Sequence, residues 1–454
     1  MHKKLSFSSN VLIGSMLFGL FFGAGNLIFP VHMGQEAGAN ILPATIGFLI
    51  TGVGLPFLGV VAIGASKSEG LFELSSRVHS LFGYLMTILL YLTIGPFFAL
   101  PRTGTVSFEI GIAPYIPEEY KAFALAIFTV IFFGAALFFS MRPNKILVWV
   151  GKILNPLFLV FLGSLIVIGF LKPMGSINTA PVNGMYASAP FFKGFTEGYN
   201  TMDALASLAF GIIVVRSIKE LGIDEPGNIA LHTVKAGLVS IILMSIIYAS
   251  LSYLGTTSIS ILELSSNGGI ALAQISRHYF GNFGSILLAL IITIGCLKTA
   301  IGLITACSET FKEMFPKTFS YKTYVVIFTV FSGFVANIGL TQLISLSIPI
   351  LMFLYPLAIA IIILGLVSSL FKDRQVVYVT TIVSTIFVSM ADMLNAMPDN
   401  IKSLEFVQNI LGFYKNNLPF FDLGMGWVIP MIAGLGIGLL ISVFTKPLKK
   451  PTIK

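Results

Sequence analysis

Residues 19–30 read Gly19-Leu-Phe-Phe-Gly23-Ala-Gly25-Asn26-Leu-Ile-Phe-Pro30. Both flanks are apolar, so the run sits within a stretch long enough to cross a bilayer core, which takes roughly 20 apolar residues. Three glycines, an asparagine and a proline make a poor continuous helix. At membrane depth an unwound backbone persists only where protein buries it or where it lines a wet cavity. The run therefore predicts a helix broken in mid-membrane with a binding cavity beside the break. Close helix packing through small residues is the competing explanation for the same glycines.

The rest of the chain points to the same setting. Its 454 residues are 56% hydrophobic and 10% charged, with a mean hydropathy of +0.93, whereas soluble domains carry roughly 25% charged residues. The expected fold class is all-α and integral to the membrane, with about 12 transmembrane helices. They fall at 9–34, 41–64, 80–100, 121–140, 147–171, 194–217, 233–257, 282–307, 321–340, 342–370, 375–397 and 426–446.

If both termini are cytoplasmic, nineteen Lys and Arg lie inside and seven outside, among them Arg102 and Lys193, and Lys298 in the membrane completes the 27. That asymmetry is a topology signal that favours this orientation and accounts for the net charge of +8, and the cell (plasma) membrane is the expected location. A nucleic-acid partner has nothing left to rest on; the lipid bilayer is the expected surrounding. Lys3 and Lys4 before an apolar run resemble a signal peptide, but no small-x-small cleavage site follows. Segments 172–193, 258–281 and 399–425 fall outside and are candidate lids, and Gly268–His278 reads either as a short helix over the outer face or as a plain connector.

A second interruption appears at Thr201-Met-Asp203-Ala-Leu-Ala-Ser207-Leu-Ala-Phe210-Gly211. The two breaks lie five spans apart, in the first and sixth, the spacing of a 5+5 inverted repeat with interrupted helices at corresponding positions. The chain then divides into a cytoplasmic N-terminus (1–8), a ten-helix core (9–370, repeats 9–171 and 194–370), two additional transmembrane helices (371–446) and a cytoplasmic basic tail (447–454). Half-helix N-termini offer N–H groups to a carboxylate, and released carbonyls can hold a cation or an ammonium. An amino-acid zwitterion meets both demands. Intramembrane carboxylates are proton-relay or gating candidates. Asp203 is the stronger of these, Glu197 is expected to be solvated near the outer interface, and Asp392 is expected to make a structural hydrogen bond.

The run Phe18–Pro30 resembles the signature of the bacterial branched-chain amino acid carrier family (BrnQ, or LIVCS). So do Tyr91-Leu-Thr-Ile-Gly-Pro-Phe-Phe-Ala-Leu-Pro-Arg-Thr103, Gly198-Tyr-Asn-Thr-Met-Asp203 and Thr299-Ala-Ile-Gly-Leu-Ile-Thr305. The motifs recur in order over most of the chain. The resemblance implies a LeuT-type fold of the APC superfamily and symport of leucine, isoleucine and valine with H+ or Na+. It further implies that the Phe21 carbonyl and the Ala24 and Gly25 amides, beside Asn26, hold the charged ends of the substrate. Ser207 and Phe210 fall at matching substrate positions, and Phe210, Tyr91 and Leu303 would line the side-chain pocket.

In the same pattern sodium is held by the carbonyls of Gly19 and Phe22, by Gly295 and by the pair 298 and 299. Here that pair is Lys298 and Thr299. An ammonium cannot ligate a cation, so Lys298 implies either proton coupling or a tethered substitute for sodium, unless it snorkels to the interface. No cofactor beyond the coupling ion is expected. Cys296 and Cys307 lie about three turns apart on one helix and cannot pair. Hydrolytic and phosphate-binding motifs are absent, which disfavours an intramembrane enzyme. Two dissimilar breaks disfavour a channel built from identical filter rings. A carrier of another neutral amino acid is the nearest competitor, and the oligomeric state is left open.

Overall fold

In lipid a chain must satisfy its backbone polar groups internally, and here it does so with helices. The structure, a computed structural model, describes residues 13–15, 17–19, 21–68, 70–141, 155–220, 222–223 and 226–444. The expected cytoplasmic ends at 1–8 and 447–454, and the basic residues Arg142, Lys145 and Lys152, lie outside the described residues. No strand occurs among the described residues.

The first span is helical at 13–15, 17–19 and 21 (α1), breaks, and resumes as α2 (Ala24–Ala37). Helices α3 (Ile41–Leu49) and α4 (Leu55–Ala65) make the second span. After the short α5 (Leu71–Ser76), α6 (Ser80–Leu92) and α7 (Ala99–Gly111) share the third. Helices α8 (Glu118–Ser140) and α9 (Asn155–Leu171) complete the first repeat. The sixth span is divided into α10 (Pro190–Glu197) and α11 (Asp203–Glu220). Helices α12 (Pro226–Ser258), α13 (Gly268–Met314), α14 (Tyr321–Ala336) and α15 (Leu340–Val367) complete the second repeat. Beyond it lie α16 (Gln375–Asn395), the loop helix α17 (Glu405–Asn417) and α18 (Val428–Ser442).

Among the described residues, seven helical stretches are long and apolar enough to cross a membrane, and three shorter apolar helices accompany them. The 42-residue stretch Ala24–Ala65 contains two spans, and the divided sixth span is not continuous. Together these make up the expected twelve.

The third span corrects the sequence reading. An end near residue 100 was expected, with Arg102 in an outer loop. Instead Thr93–Phe97 forms a wide π-helical turn, non-helical at Gly95, and α7 carries the helix on to Gly111. Pro96 removes an N–H and crowds the preceding turn, so the span bends without ending. Arg102 is thereby carried into the interior, 3% exposed.

Two helix pairs touch through reciprocal glycines. A Cβ on Gly34 of α2 would sit 2.1 Å from the Ser252 carbonyl oxygen of α12, and one on Gly255 of α12 would sit 2.0 Å from that of Val31. Gly47 of α3 and Gly194 of α10 stand in the same relation to Phe191 and Ala44. Small residues let backbones approach where lipid supplies no hydrophobic drive. The halves α2 and α10 are thus fixed on the same side of the cavity.

The segment after α9 covers that side: Asn183 N donates to Glu36 O at 2.9 Å and Ala39 N to Ala180 O at 3.2 Å. Of the two readings of Gly268–His278, helix and connector, the structure has the helix, as the first part of α13, capped by Asn267 and bent at Gly281. The expectation for Asp392 fails, since both its carboxylate oxygens are buried without a hydrogen-bond partner. Cys296 and Cys307 are buried free thiols.

Candidate functional site

The two breaks meet, and they are built differently. In the first span Phe22 N donates to Phe18 O at 2.8 Å, closing the last turn of α1. Gly23 is then extended (φ −127, ψ −164), and α2 begins at Ala24. The Asn26 side chain turns back so that its Oδ1 accepts from Gly23 N at 2.8 Å. First-turn amides have no intrahelical acceptor, so the Ala24 and Gly25 N–H groups are available to a ligand.

In the sixth span α10 ends at Glu197, residues Gly198–Thr201 tighten into a 3-10 turn, and Met202 adopts a left-handed conformation (φ 61) before α11 starts at Asp203. Thr201 Oγ1 accepts from Asp203 N at 3.3 Å and caps the new helix. A carboxylate at a helix start is favoured by the helix dipole. Asp203 is buried, 3% exposed. Its Oδ2 accepts from Asn26 Nδ2 at 2.5 Å and from Tyr248 OH at 3.0 Å. Asn26 Nδ2 also contacts Tyr248 OH. One carboxylate thus ties both broken spans to α12.

Between the breaks lies a cavity of about 50 Å³, larger than the roughly 10–15 Å³ that one water needs. Of the substrate positions expected from sequence, Phe21, Ala24, Gly25, Asn26, Phe210 and Leu303 line it, as do Asp203 and Thr299. Tyr91 and Ser207 do not. The Tyr91 hydroxyl donates to Ala209 O at 3.3 Å. Ser207 points toward α4, where a Cβ on Gly59 would meet its Oγ at 2.0 Å. The neighbouring Ala206 lines the cavity in its place.

Of the expected ion positions, Thr299 lies against the first break, its methyl 3.2 Å from where a Cβ on Gly23 would stand, and its hydroxyl donates to Gly295 O at 3.2 Å. Gly19 is buried in α1, and Phe22 and Gly295 are half-buried. Lys298 is half-buried and is not part of the cavity wall. Glu197 corrects the expectation of a solvated carboxylate: it is 7% exposed, pairs with Lys193 at 2.9 Å and accepts from Asn200 Nδ2 at 3.0 Å.

Sequence reasoning missed Arg102, Thr201, Ala206 and Thr103 in the cavity wall, and Tyr248 behind it. For Arg102 the Gly95-Pro96 pair pointed the other way, to the end of a span. Tyr248, in an apolar span, gave no signal.

A family model described as "Branched-chain amino acid transport protein" matches residues 6–445. The branched-chain amino acid permease BrnQ of Lactobacillus delbrueckii subsp. lactis is 48% identical over 447 residues, covering 98% of this chain and 99% of that one. BrnQ of Bacillus subtilis is 47% identical over 444 residues, with coverage of 98% and 99%. The branched-chain amino acid transport system 2 carrier protein of Pseudomonas aeruginosa is 40% identical over 442 residues, with coverage of 97% and 96%. Among solved structures, Mhp1, a nucleobase-cation-symport-1 family transporter in a closed conformation with bromovinylhydantoin bound, matches with a TM-score of 0.59 at 14% identity. That match covers 98% of this chain and 94% of Mhp1. The likeness bears on the fold alone, which is of the LeuT type.

Proposed function

The chain belongs to the branched-chain amino acid transport protein family, a family of transporters and not of enzymes, and on that premise we propose that it imports leucine, isoleucine and valine by symport with a cation. The observation that carries this reading is the cavity held between two interrupted helices, with amides at the start of α2 on one side and Phe210 and Leu303 on another. The amides suit a carboxylate. The apolar wall suits a branched aliphatic group, whose burial contributes roughly 1.5–3 kcal/mol. Rocking of one helix group against the other about this midplane site would expose it to each side in turn. Both termini then face the cytoplasm, and uptake runs inward across the cell membrane.

Two cations fit different parts of the site. Thr299 beside the first break supports sodium held by its hydroxyl and by the carbonyls of Gly19, Phe22 and Gly295. Asp203, a buried carboxylate on the cavity wall, supports a proton.

The test is uptake of labelled leucine into liposomes carrying the purified protein, with a sodium gradient and a proton gradient imposed separately and with excess valine or lysine as competitor. Uptake driven by one gradient, blocked by valine and untouched by lysine, is the expected result. Absence of leucine uptake under both gradients overturns the reading.

A further inference from the structure

Arg102 lines the cavity and is 3% exposed. Its Nη1 donates to the Asn200 carbonyl at 2.8 Å, its Nη2 to Ser347 Oγ, and its guanidinium carbon stands 5.2 Å from the centre of the Phe29 ring. Nε is buried without a hydrogen-bond partner. Among the described residues no Asp or Glu lies within ion-pair distance of it. Neutral acceptors and a ring face satisfy some of the five N–H donors, and the carboxylate that acts on the charge through space, Glu197, is already paired with Lys193. A charge withdrawn from water is costly unless an anion meets it.

No carboxylate of the described residues pairs directly with Arg102, so the cavity leaves room for an incoming anion beside it. The start of α2 opens on the same space with the Ala24 and Gly25 amides, a second positive feature. Asp203, on the same wall, supplies a negative pole. An α-amino acid complements such a space, carboxylate toward Arg102 and α2, ammonium toward Asp203.

We propose that Arg102 binds the carboxylate of the transported amino acid, so that recognition of that end is by charge as well as by backbone amides. The proposal rests on the reading of this cavity as the amino-acid site. Asn200 belongs to the second break and Ser347 to α15, so their contacts hold the guanidinium in place from two other spans. A planar fork fixed in this way is suited to a carboxylate, and a lysine would present a point charge instead.

The experiment compares leucine with leucinol, which keeps the ammonium and the side chain but lacks the carboxylate, by displacement of labelled leucine from the purified protein. Wild-type protein is expected to favour leucine by about 30-fold or more, the loss associated with removing one partner of a buried charge pair. In Arg102→Gln that preference should fall to about threefold or less, through weaker leucine binding with leucinol little changed. Arg102→Lys, which keeps the charge, should show an intermediate preference, and it carries the test if the Gln variant does not fold.

A preference unchanged in the folded variant, or equal loss of leucine and leucinol, overturns the proposal and leaves Arg102 as a tie between α7, Asn200 and α15. Wild-type protein that binds neither leucine nor valine overturns the amino-acid site itself, an outcome distinct from either.

Discussion

The first break works through its backbone and the second through its side chains. At Gly23 the chain needs two non-helical residues to leave one helix and enter the next, and the one side chain that turns back, Asn26, accepts from Gly23 N and leaves the Ala24 and Gly25 amides bare. At Gly198–Met202 a tightened turn and a left-handed Met202 deliver Thr201 and Asp203 to the cavity. The half-helices α2 and α10 are both clamped by reciprocal glycines, to α12 and α3 respectively. The difference teaches a division of labour: one break bares amides for a ligand, and the other places a carboxylate that holds the two breaks together.

The largest expected effect falls on that carboxylate. Asp203→Ala removes the acceptor of Asn26 Nδ2 and Tyr248 OH. Leaving two buried donors unpartnered costs about 1–3 kcal/mol each. Leucine uptake per reconstituted transporter should fall at least about 100-fold, since every 1.4 kcal/mol is tenfold. Uptake above roughly a third of wild type would show that the breaks stay together without Asp203, and the division of labour would collapse.

At the first break the perturbation must be steric. A Cβ on Gly25 would already stand 3.2 Å from the Phe29 ring and 3.5 Å from Thr201 Cα, across the cavity edge. Gly25→Val adds two further methyl groups there, and overpacking of this kind costs about 1–3 kcal/mol. Leucine affinity should weaken about 30-fold, measured by displacement binding, while α2 remains clamped through Gly34. A variant with wild-type affinity would mean that the ligand does not approach this backbone.

The two breaks were unequally legible in the sequence. Glycine is a weak helix former wherever it stands, so Gly19, Gly23 and Gly25 announced the first break directly. Asp203 announced the second because a carboxylate in lipid is expensive. Ser207 was misplaced because neighbouring helix positions differ by about 100°, and nothing in the sequence chose between it and Ala206 as the residue facing the cavity. Arg102 was misplaced for the opposite reason: a charge after Gly-Pro reads as the end of a span, and only tertiary contacts with Asn200, Ser347 and Phe29 keep it inside. Glu197 was read as solvated because its pairing with Lys193, one helical turn away, was not recognised.

The smaller effects concern two adjacent residues of α13 that face the first break differently. Thr299 touches the position where a Gly23 side chain would begin, whereas Lys298 is absent from the cavity wall. If sodium is the coupling ion, Thr299→Ala removes one oxygen ligand, and the sodium concentration for half-maximal leucine uptake should rise about tenfold, in keeping with about 1.5 kcal/mol for a hydrogen-bond-strength contact to a charge. Lys298→Thr changes a residue that the cavity wall does not include, so that concentration and the maximal rate should stay within about twofold. The pair is informative because each outcome has a different meaning. Loss of proton-driven uptake in Lys298→Thr, with Thr299→Ala unaffected, would place the coupling charge on the lysine. The backbone of the first break would then serve the substrate without also serving an ion.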